Sequence, residues 1–122
     1  IPDNAHVEHF VPHSEVLKRA RLLVSHAGHG VVIKALYFGV PMVLVPWDRD
    51  QPGVAARAAA IGVAETIPRA GFTPERLESA IEKVLHTPRY RDVAARVSQR
   101  LQTRDAVQIA HAHIERFLQR DR

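Results

Sequence analysis

Two histidines and two glycines lie close together in the segment His26-Ala27-Gly28-His29-Gly30. The run 22–25 before this segment is short and apolar enough for a buried strand, and residues 31–38 after it can form a helix. Glycine permits tight turns and close approach of a ligand. A helix that begins there presents unpaired N–H groups and a positive dipole end. The segment therefore predicts an anion site, with phosphate as the expected anion.

A second group of polar side chains follows the next predicted strand. Gly39 and Pro41 are placed to end the helix, and residues 42–45 are apolar enough for another buried strand. The residues just after that strand include Trp47, Asp48, Asp50 and Gln51. Ligands of open parallel sheets bind beyond the carboxyl ends of the strands. A carboxylate accepts hydrogen bonds and an amide both donates and accepts them, so this group suits neighbouring sugar hydroxyls.

The rest of the chain supplies the elements that position these residues. We predict strands at 7–11, 22–25, 42–45 and 63–67, and helices at 14–20, 31–38 and 51–61. This alternation over residues 1–71 predicts an α/β fold, with a Rossmann-like parallel sheet and flanking helices. Residues 72–122 show helical patterns only, which predicts an all-helical tail.

The helical tail contains three predicted helices. Thr73 caps the first, Pro88 begins the second, and the third covers 105–119. Ser14 is placed to cap the earlier helix at 14–20. The apolar face by which we expect the last helix to pack consists of Ile109, Ala110, Ile114, Phe117 and Leu118.

Charge and composition exclude several classes of protein. The chain has 17 Lys and Arg residues against 13 Asp and Glu residues, a net charge of +4. The excess lies between residues 88 and 104, where Arg96, Arg100 and Arg104 recur every fourth residue, as on the solvated face of an amphipathic helix rather than in a nucleic-acid site. No apolar run approaches transmembrane length. The absence of cysteine excludes a disulfide framework and favours a cytoplasmic protein.

Three motifs in this order and spacing resemble a known signature. They are His26-x-Gly28-x-Gly30, Ala35-Leu36-x-x-Gly39-Val40-Pro41 and Asp50-Gln51. Together they resemble the donor-binding signature of GT-B fold nucleotide-sugar glycosyltransferases, and in particular the macrolide and antibiotic glycosyltransferases related to the UDP-glycosyltransferases. The resemblance implies a hexosyltransferase-type enzyme that moves a sugar from a UDP- or dTDP-sugar to a hydroxyl of a small, natural-product-like acceptor. No cofactor is expected. The spacing of His26 and His29 could suggest a metal site, but no acidic or cysteine partner is spaced to complete one, so no metal is expected.

The resemblance also assigns roles to residues. The donor diphosphate would be bound by His26, Gly28, His29, Gly30 and Val31. The nucleoside would be bound by Phe10, Val11, His13 and Lys34. The donor sugar would be bound by Trp47, Asp50 and Gln51. No catalytic residue is assigned to this chain, because in relatives the histidine base that deprotonates the acceptor belongs to the amino-terminal domain.

Two positions depart from the family pattern. Val31 stands where relatives commonly carry Ser or Thr for phosphate, and Lys34 stands where many carry a Glu that holds the ribose hydroxyls. Helical side chains lean toward the amino-terminal end of the helix, so Lys34 either approaches the diphosphate or pairs with Asp48 or Asp50. Without this Glu, a deoxyribose donor loses less binding than a ribose donor, because deoxyribose lacks one of the hydroxyls. We therefore keep dTDP-sugars as candidate donors.

Three other assignments have a purely structural alternative. Phe10 either stacks on the base or belongs to the core. Trp47 either covers the sugar or seals the strand end. Asp50 either binds the sugar or caps the following helix, and these two roles can coexist.

The resemblance further implies that residues 1–122 form only part of a donor-binding, carboxyl-terminal domain. Its first two strands would lie upstream of Ile1 and, in the usual doubly wound order, between the 7–11 and 22–25 strands. The 7–11 strand would then have a bare edge, which promotes aggregation. We therefore expect either the carboxyl-terminal portion of a longer enzyme or the donor-binding subunit of a split glycosyltransferase. A non-catalytic nucleotide-binding module is the alternative from a different class.

Overall fold

The computed structural model describes residues 1–120 and contains one three-stranded sheet. The strands are β1 (Leu23–Ser25), β2 (Met42–Leu44) and β3 (Ala64–Thr66), which are all parallel and lie in the order β1-β2-β3. The helices are α1 (His13–Leu17), α2 (His29–Tyr37), α3 (Gln51–Ile61), α4 (Pro74–His86), α5 (Pro88–Thr103) and α6 (Ala106–Arg120), with a short 3₁₀ turn at Arg69–Gly71. The predicted α/β fold, a Rossmann-like parallel sheet with flanking helices, is confirmed.

The ends of the helices follow the predicted signals. Gly39 ends α2 with φ +69°, and Gly62 ends α3 with φ +93°, a left-handed conformation that glycine adopts without steric cost. At the start of α4, Thr73 Oγ1 accepts the Arg76 backbone N–H at 3.2 Å. These stops keep the connections short and place successive strands side by side.

The central strand, β2, separates two hydrophobic cores. Met42 and Leu44 face the core that α2, α3 and α5 cover, whereas Val43 and Val45 face the core that α4 covers. Successive side chains of a strand point to opposite faces of the sheet, which explains this division. Burying each such side chain stabilises the fold by about 1.5–3 kcal/mol. The carboxyl end of β2 is therefore fixed from both faces.

The predicted strand at 7–11 is wrong. This segment has no strand, and Phe10 in it is 81% exposed. Strands need neighbours to bond their backbone groups, and within residues 1–120 β1 pairs only with β2. The helix predicted at 14–20 is also shorter, because it begins at His13 and ends at Leu17. Ser14 therefore lies inside this helix and does not cap it.

The last helix forms, but its predicted packing is wrong. No residue of α6 is buried, and its apolar face remains exposed, including Ile114, Phe117 and Leu118. Ile109 and Ala110, which were predicted to belong to the packed face, are exposed as well. Within residues 1–120, no other helix or strand packs closely enough against α6 to cover this face. Within residues 1–120, no helix is long and apolar enough to cross a membrane.

Candidate functional site

The loop after β1 directs His26 toward the start of α2. Ala27 in this loop is fully buried and has φ +70°. This left-handed conformation costs a residue other than glycine roughly 1–2 kcal/mol. Ser25 Oγ accepts the Ala27 backbone N–H at 3.3 Å and helps to hold the turn. Strained backbone of this kind often accompanies a functional loop.

Gly28 and Gly30, the two glycines of the motif, have different structural roles. A Cβ on Gly28 would come within 2.9 Å of His26 Nε2, so the absence of a side chain lets the imidazole lie against the backbone. A Cβ on Gly30 would meet no atom within 4 Å. Nothing in the chain itself requires glycine at position 30, and the space beside it is open to a ligand.

The amino-terminal end of α2 has unused hydrogen-bond donors. No side chain caps this helix, and its first bond runs from Val32 N–H to Gly28 O at 3.1 Å. The N–H groups of His29, Gly30 and Val31 therefore precede the helical bonding pattern and are unbonded within residues 1–120. Together with the positive end of the helix dipole, they favour an anion beside the His26 ring.

His26 lines three cavities near the carboxyl ends of the strands, and two of them contain most of the predicted site residues. The first, of about 470 Å³, includes among its lining residues His13, Ser25, His26, Gly28, Gly30 and Val31. The second, of about 370 Å³, is lined by His26, Trp47 and Gln51. Most of the residues predicted to bind diphosphate thus lie beside two of those predicted to bind sugar.

The Gln51 side chain both holds a turn and keeps a free donor. Its Oε1 accepts the backbone N–H groups of Trp47 at 2.9 Å and Asp48 at 3.2 Å. Asp50 precedes α3, but its side chain makes no capping hydrogen bond to that helix, so the capping alternative for Asp50 is wrong. The Gln51 Nε2 group remains available to donate into the second cavity.

Several predicted site residues lie apart from this group. The His29 side chain lines a groove between α2 and α3, so only its backbone N–H belongs to the anion site. Phe10 and Val11 lie on the exposed segment before α1, which excludes Phe10 from the core. Lys34 and Asp50 are exposed and line neither cavity, and neither forms an ion pair within residues 1–120.

Two residues that the sequence did not single out belong to the site. Ala27 sets the loop that carries His26, and Arg69 places its guanidinium carbon 4.5 Å from the centre of a Trp47 ring. A strained alanine has no signal in sequence. Arg69 and Trp47 are far apart along the chain, and only the parallel order of β2 and β3 brings them together. In the described part of the chain, no group of three or more His, Asp or Glu residues could hold a metal.

The fold and the site define a class of protein. Glycines, free helix N–H groups and an amide side chain meet where parallel strands end, which is the arrangement of a phosphate-ligand-binding α/β domain. Residues 1–114 match the family described as "Erythromycin biosynthesis protein CIII-like, C-terminal domain". The chain belongs to this family, and the resemblance to GT-B nucleotide-sugar glycosyltransferases is confirmed.

Curated relatives agree with this family. The chain is 38% identical over 108 residues to UDP-glycosyltransferase 2 of Phaeomoniella chlamydospora, which covers 88% of this chain and 24% of the relative. It is 34% identical over 107 residues to 4'-demethylrebeccamycin synthase of Lentzea aerocolonigenes, which covers 88% of this chain and 25% of the relative. The chain therefore spans about a quarter of the length of these relatives.

Solved structures give the same result for the fold. The glycotransferase of kitacinnamycin matches with a TM-score of 0.84 and 33% identity, over 95% of this chain and 30% of that protein. The glycosyltransferase VinC, solved in complex with dTDP, matches with a TM-score of 0.86 and 27% identity, over 98% of this chain and 30% of that protein. The fold is that of the Rossmann-like carboxyl-terminal domain of GT-B glycosyltransferases.

Proposed function

We propose that this chain is the donor-binding part of a hexosyltransferase-type glycosyltransferase. The whole enzyme transfers a sugar from a UDP- or dTDP-sugar to a hydroxyl of a small, natural-product-like acceptor. One observation carries the proposal: His26 lies at the free N–H groups of α2 and also lines a cavity with Trp47 and Gln51. A diphosphate and the sugar attached to it require two adjoining sites of this kind.

The diphosphate is the leaving group of such a transfer, and this chain stabilises its charge. The N–H groups of His29, Gly30 and Val31 donate to phosphate oxygens, and His26 contributes a ring N–H from the same side. Donors that are fixed before the reaction stabilise developing charge without reorganisation. The open space at Gly30 allows the phosphate to approach the backbone closely.

The sugar occupies the cavity beyond His26. Gln51 Nε2 and the Asp50 carboxylate contact sugar hydroxyls, and the Trp47 ring forms one wall. The nucleoside lies toward His13, which lines the cavity that also contains Gly28 and Val31, and Phe10, Val11 and Lys34 contribute to its binding. The missing amino-terminal domain, or a partner chain, supplies the acceptor site and the base that deprotonates the acceptor. A cytoplasmic location also belongs to this proposal, supported by the absence of cysteine.

Thymidine nucleotides have support as donors alongside UDP. VinC was solved with dTDP, and the spinosyn rhamnosyltransferase SpnG, which is 28% identical with a TM-score of 0.76, was solved with thymidine diphosphate. In this chain, Lys34 stands where a ribose-binding carboxylate is expected. A deoxyribose lacks one of the hydroxyls that such a carboxylate would hold.

Isothermal titration of the complete protein that carries this chain tests the proposal. UDP, dTDP and ADP are compared, and we expect selective binding of the pyrimidine diphosphates. His26→Ala should weaken that binding by about 10- to 100-fold, because it removes a charge-assisted hydrogen bond. His111→Ala on the exposed surface of α6 is the matched control and should change nothing.

Three results separate the alternatives. Stable co-purification with a second polypeptide that supplies the acceptor site favours a split glycosyltransferase. Folded, complete protein that binds no nucleotide favours a non-catalytic module and contradicts the donor site. Strong preference for UDP over dTDP would contradict the interpretation of Lys34.

A further inference from the structure

Arg69 and Trp47 form a stacked pair beside the cavity proposed for the sugar. Arg69 opens the 3₁₀ turn after β3, and Trp47 follows β2. The turn fixes the Arg69 backbone, because Arg69 O accepts Phe72 N–H at 3.2 Å and Gly71 O accepts Arg76 Nη1 at 2.8 Å. The guanidinium carbon lies 4.5 Å from the centre of a Trp47 ring, within the range of an attractive cation–π contact.

Trp47 lines two adjoining cavities. The smaller is the cavity that Trp47 shares with His26 and Gln51. The larger is an apolar groove of about 490 Å³, which Trp47 and His26 line together with Arg69 and Phe72. The orientation of the Trp47 ring therefore affects the shape of the sugar cavity.

Two contacts hold Trp47, and they act on different parts of the residue. Gln51 Oε1 accepts the backbone N–H of Trp47 at 2.9 Å, which fixes the main chain. Trp47 is nevertheless 60% exposed, so hydrophobic packing restrains its ring only weakly. Arg69 supplies the contact to the ring face. A guanidinium suits this position because it is planar and weakly hydrated, whereas a lysine ammonium is compact and strongly hydrated.

We propose that Arg69 is a positioning residue that holds the Trp47 ring as a wall of the donor-sugar cavity. This inference rests on the proposed function, since it takes that cavity as the sugar site. Arg69 then acts through Trp47 and does not touch the diphosphate. Its removal weakens binding of the sugar part of the donor and leaves binding of the nucleoside diphosphate unchanged.

The test compares a nucleotide sugar with its free nucleotide in the complete protein. Titrations use dTDP with dTDP-glucose and UDP with UDP-glucose. We expect Arg69→Met to weaken nucleotide-sugar binding about three- to tenfold, the range of one partly desolvated cation–π contact, with no change for the free nucleotide. Arg69→Lys should restore part of the loss. Arg89→Met is the matched control, because Arg89 stacks over Tyr90 at 5.6 Å, away from Trp47.

Fluorescence anisotropy reports directly on the mobility of the Trp47 ring. Trp47 is the one tryptophan in these 122 residues, and the difference between the parent protein and Trp47→Phe isolates its emission. Arg69→Met should lower the anisotropy of that emission, because the ring is released. Arg89→Met should leave it unchanged.

The outcomes separate this inference from the proposed function. Parent protein that binds neither nucleotides nor nucleotide sugars overturns both. If the parent binds them, equal weakening of dTDP and dTDP-glucose by Arg69→Met overturns the positioning role, because Arg69 would then contact the diphosphate. Unchanged binding of both ligands, or unchanged Trp47 anisotropy, also overturns it.

Discussion

Several polar groups at the strand ends around His26 are left without partners within residues 1–120. Polar groups at the interface between β3, α4 and α5 bond to one another. At the strand ends, the first N–H groups of α2 are unbonded and Ala27 is held in a left-handed conformation. At the interface, the Glu65 carboxylate accepts the Tyr90 hydroxyl and pairs with Lys83 Nζ at 3.0 Å. One region keeps its hydrogen-bonding capacity for a ligand, and the other uses it within the chain.

Ionisation in the Glu65 network follows from these contacts. Partial burial opposes the charge on Glu65, but hydrogen bonds from Tyr90 and Lys83 outweigh burial and lower the pKa of the Glu65 carboxyl. Burial and the neighbouring carboxylate raise the pKa of the Tyr90 hydroxyl, and Glu65 raises the pKa of the Lys83 ammonium. Substitutions in the Glu65 network should therefore alter stability, whereas substitutions at the strand ends should alter binding.

Ala27 is an exception to this division, because it lies in the site loop yet is completely buried. Valine is β-branched and larger, so Ala27→Val adds conformational strain at φ +70° and overpacks the core. We expect a loss of about 2–4 kcal/mol in the free energy of unfolding, measured by urea denaturation.

The control for this change is Ala27→Gly. Glycine relieves the strain but loses a buried methyl group and gains freedom in the unfolded chain, so the net effect should stay within about 1 kcal/mol. A cost below about 1 kcal/mol for Ala27→Val would show that the loop shifts freely and that its strain does not place His26.

Tyr90→Phe tests the opposite region with a smaller effect. It removes a hydrogen bond to a charged group and leaves Glu65 with Lys83 alone, which should cost about 1–3 kcal/mol near pH 7. Tyr37→Phe is the matched control on an exposed tyrosine and should change stability by less than about 0.5 kcal/mol. Nucleotide affinity should be the same in both variants.

The cost of Tyr90→Phe should depend on pH. The pKa of Glu65 is lower in the folded state than in the unfolded state, so its contribution is present above the unfolded value and is lost as pH falls through the folded value. The stability difference between the parent and Tyr90→Phe should therefore shrink between pH 7 and pH 3. A difference that stays constant over that range would mean that the charge of Glu65 adds nothing to this bond.

Local sequence signals predicted the alternation of strands and helices in the fold and part of the site. Gly39, Gly62 and Thr73 end or begin helices where expected, because their conformational and capping preferences act within a few residues. The strands at 22–25, 42–45 and 63–67 were found within one residue at each end. His26, Trp47 and Gln51 share a cavity, because parallel strands end at one edge of a sheet.

The failures concern contacts that no local pattern specifies. The apolar residues Val7, Phe10 and Val11 are suitable for a short strand, but within residues 1–120 this segment has no neighbouring strand to bond its backbone. The apolar pattern of α6 predicts burial of one face without showing what covers it. Arg69 was missed because its contact with Trp47 exists only in the folded sheet.

Gly30→Ala tests whether a substitution at the strand ends alters binding without altering stability, and its expected effect on stability is the smallest. Position 30 lies in the first turn of α2 with no atom within 4 Å of an added Cβ. Alanine should therefore leave stability unchanged or raise it by up to about 1 kcal/mol through its helix propensity. A phosphate bound on the adjoining N–H groups would, however, meet the new methyl group, so nucleotide affinity should fall about tenfold or more while the melting temperature does not fall.

Gly53→Ala is the matched control for this last change. Gly53 lies in the first turn of α3, and a Cβ there also meets no atom within 4 Å. The same gain in helix propensity is expected, but Gly53 lines none of the three cavities that His26 lines. Loss of nucleotide binding in Gly30→Ala alone would place the diphosphate at α2, because the two variants differ only in which helix carries the methyl group. Equal binding by both variants would exclude close approach of a ligand at Gly30.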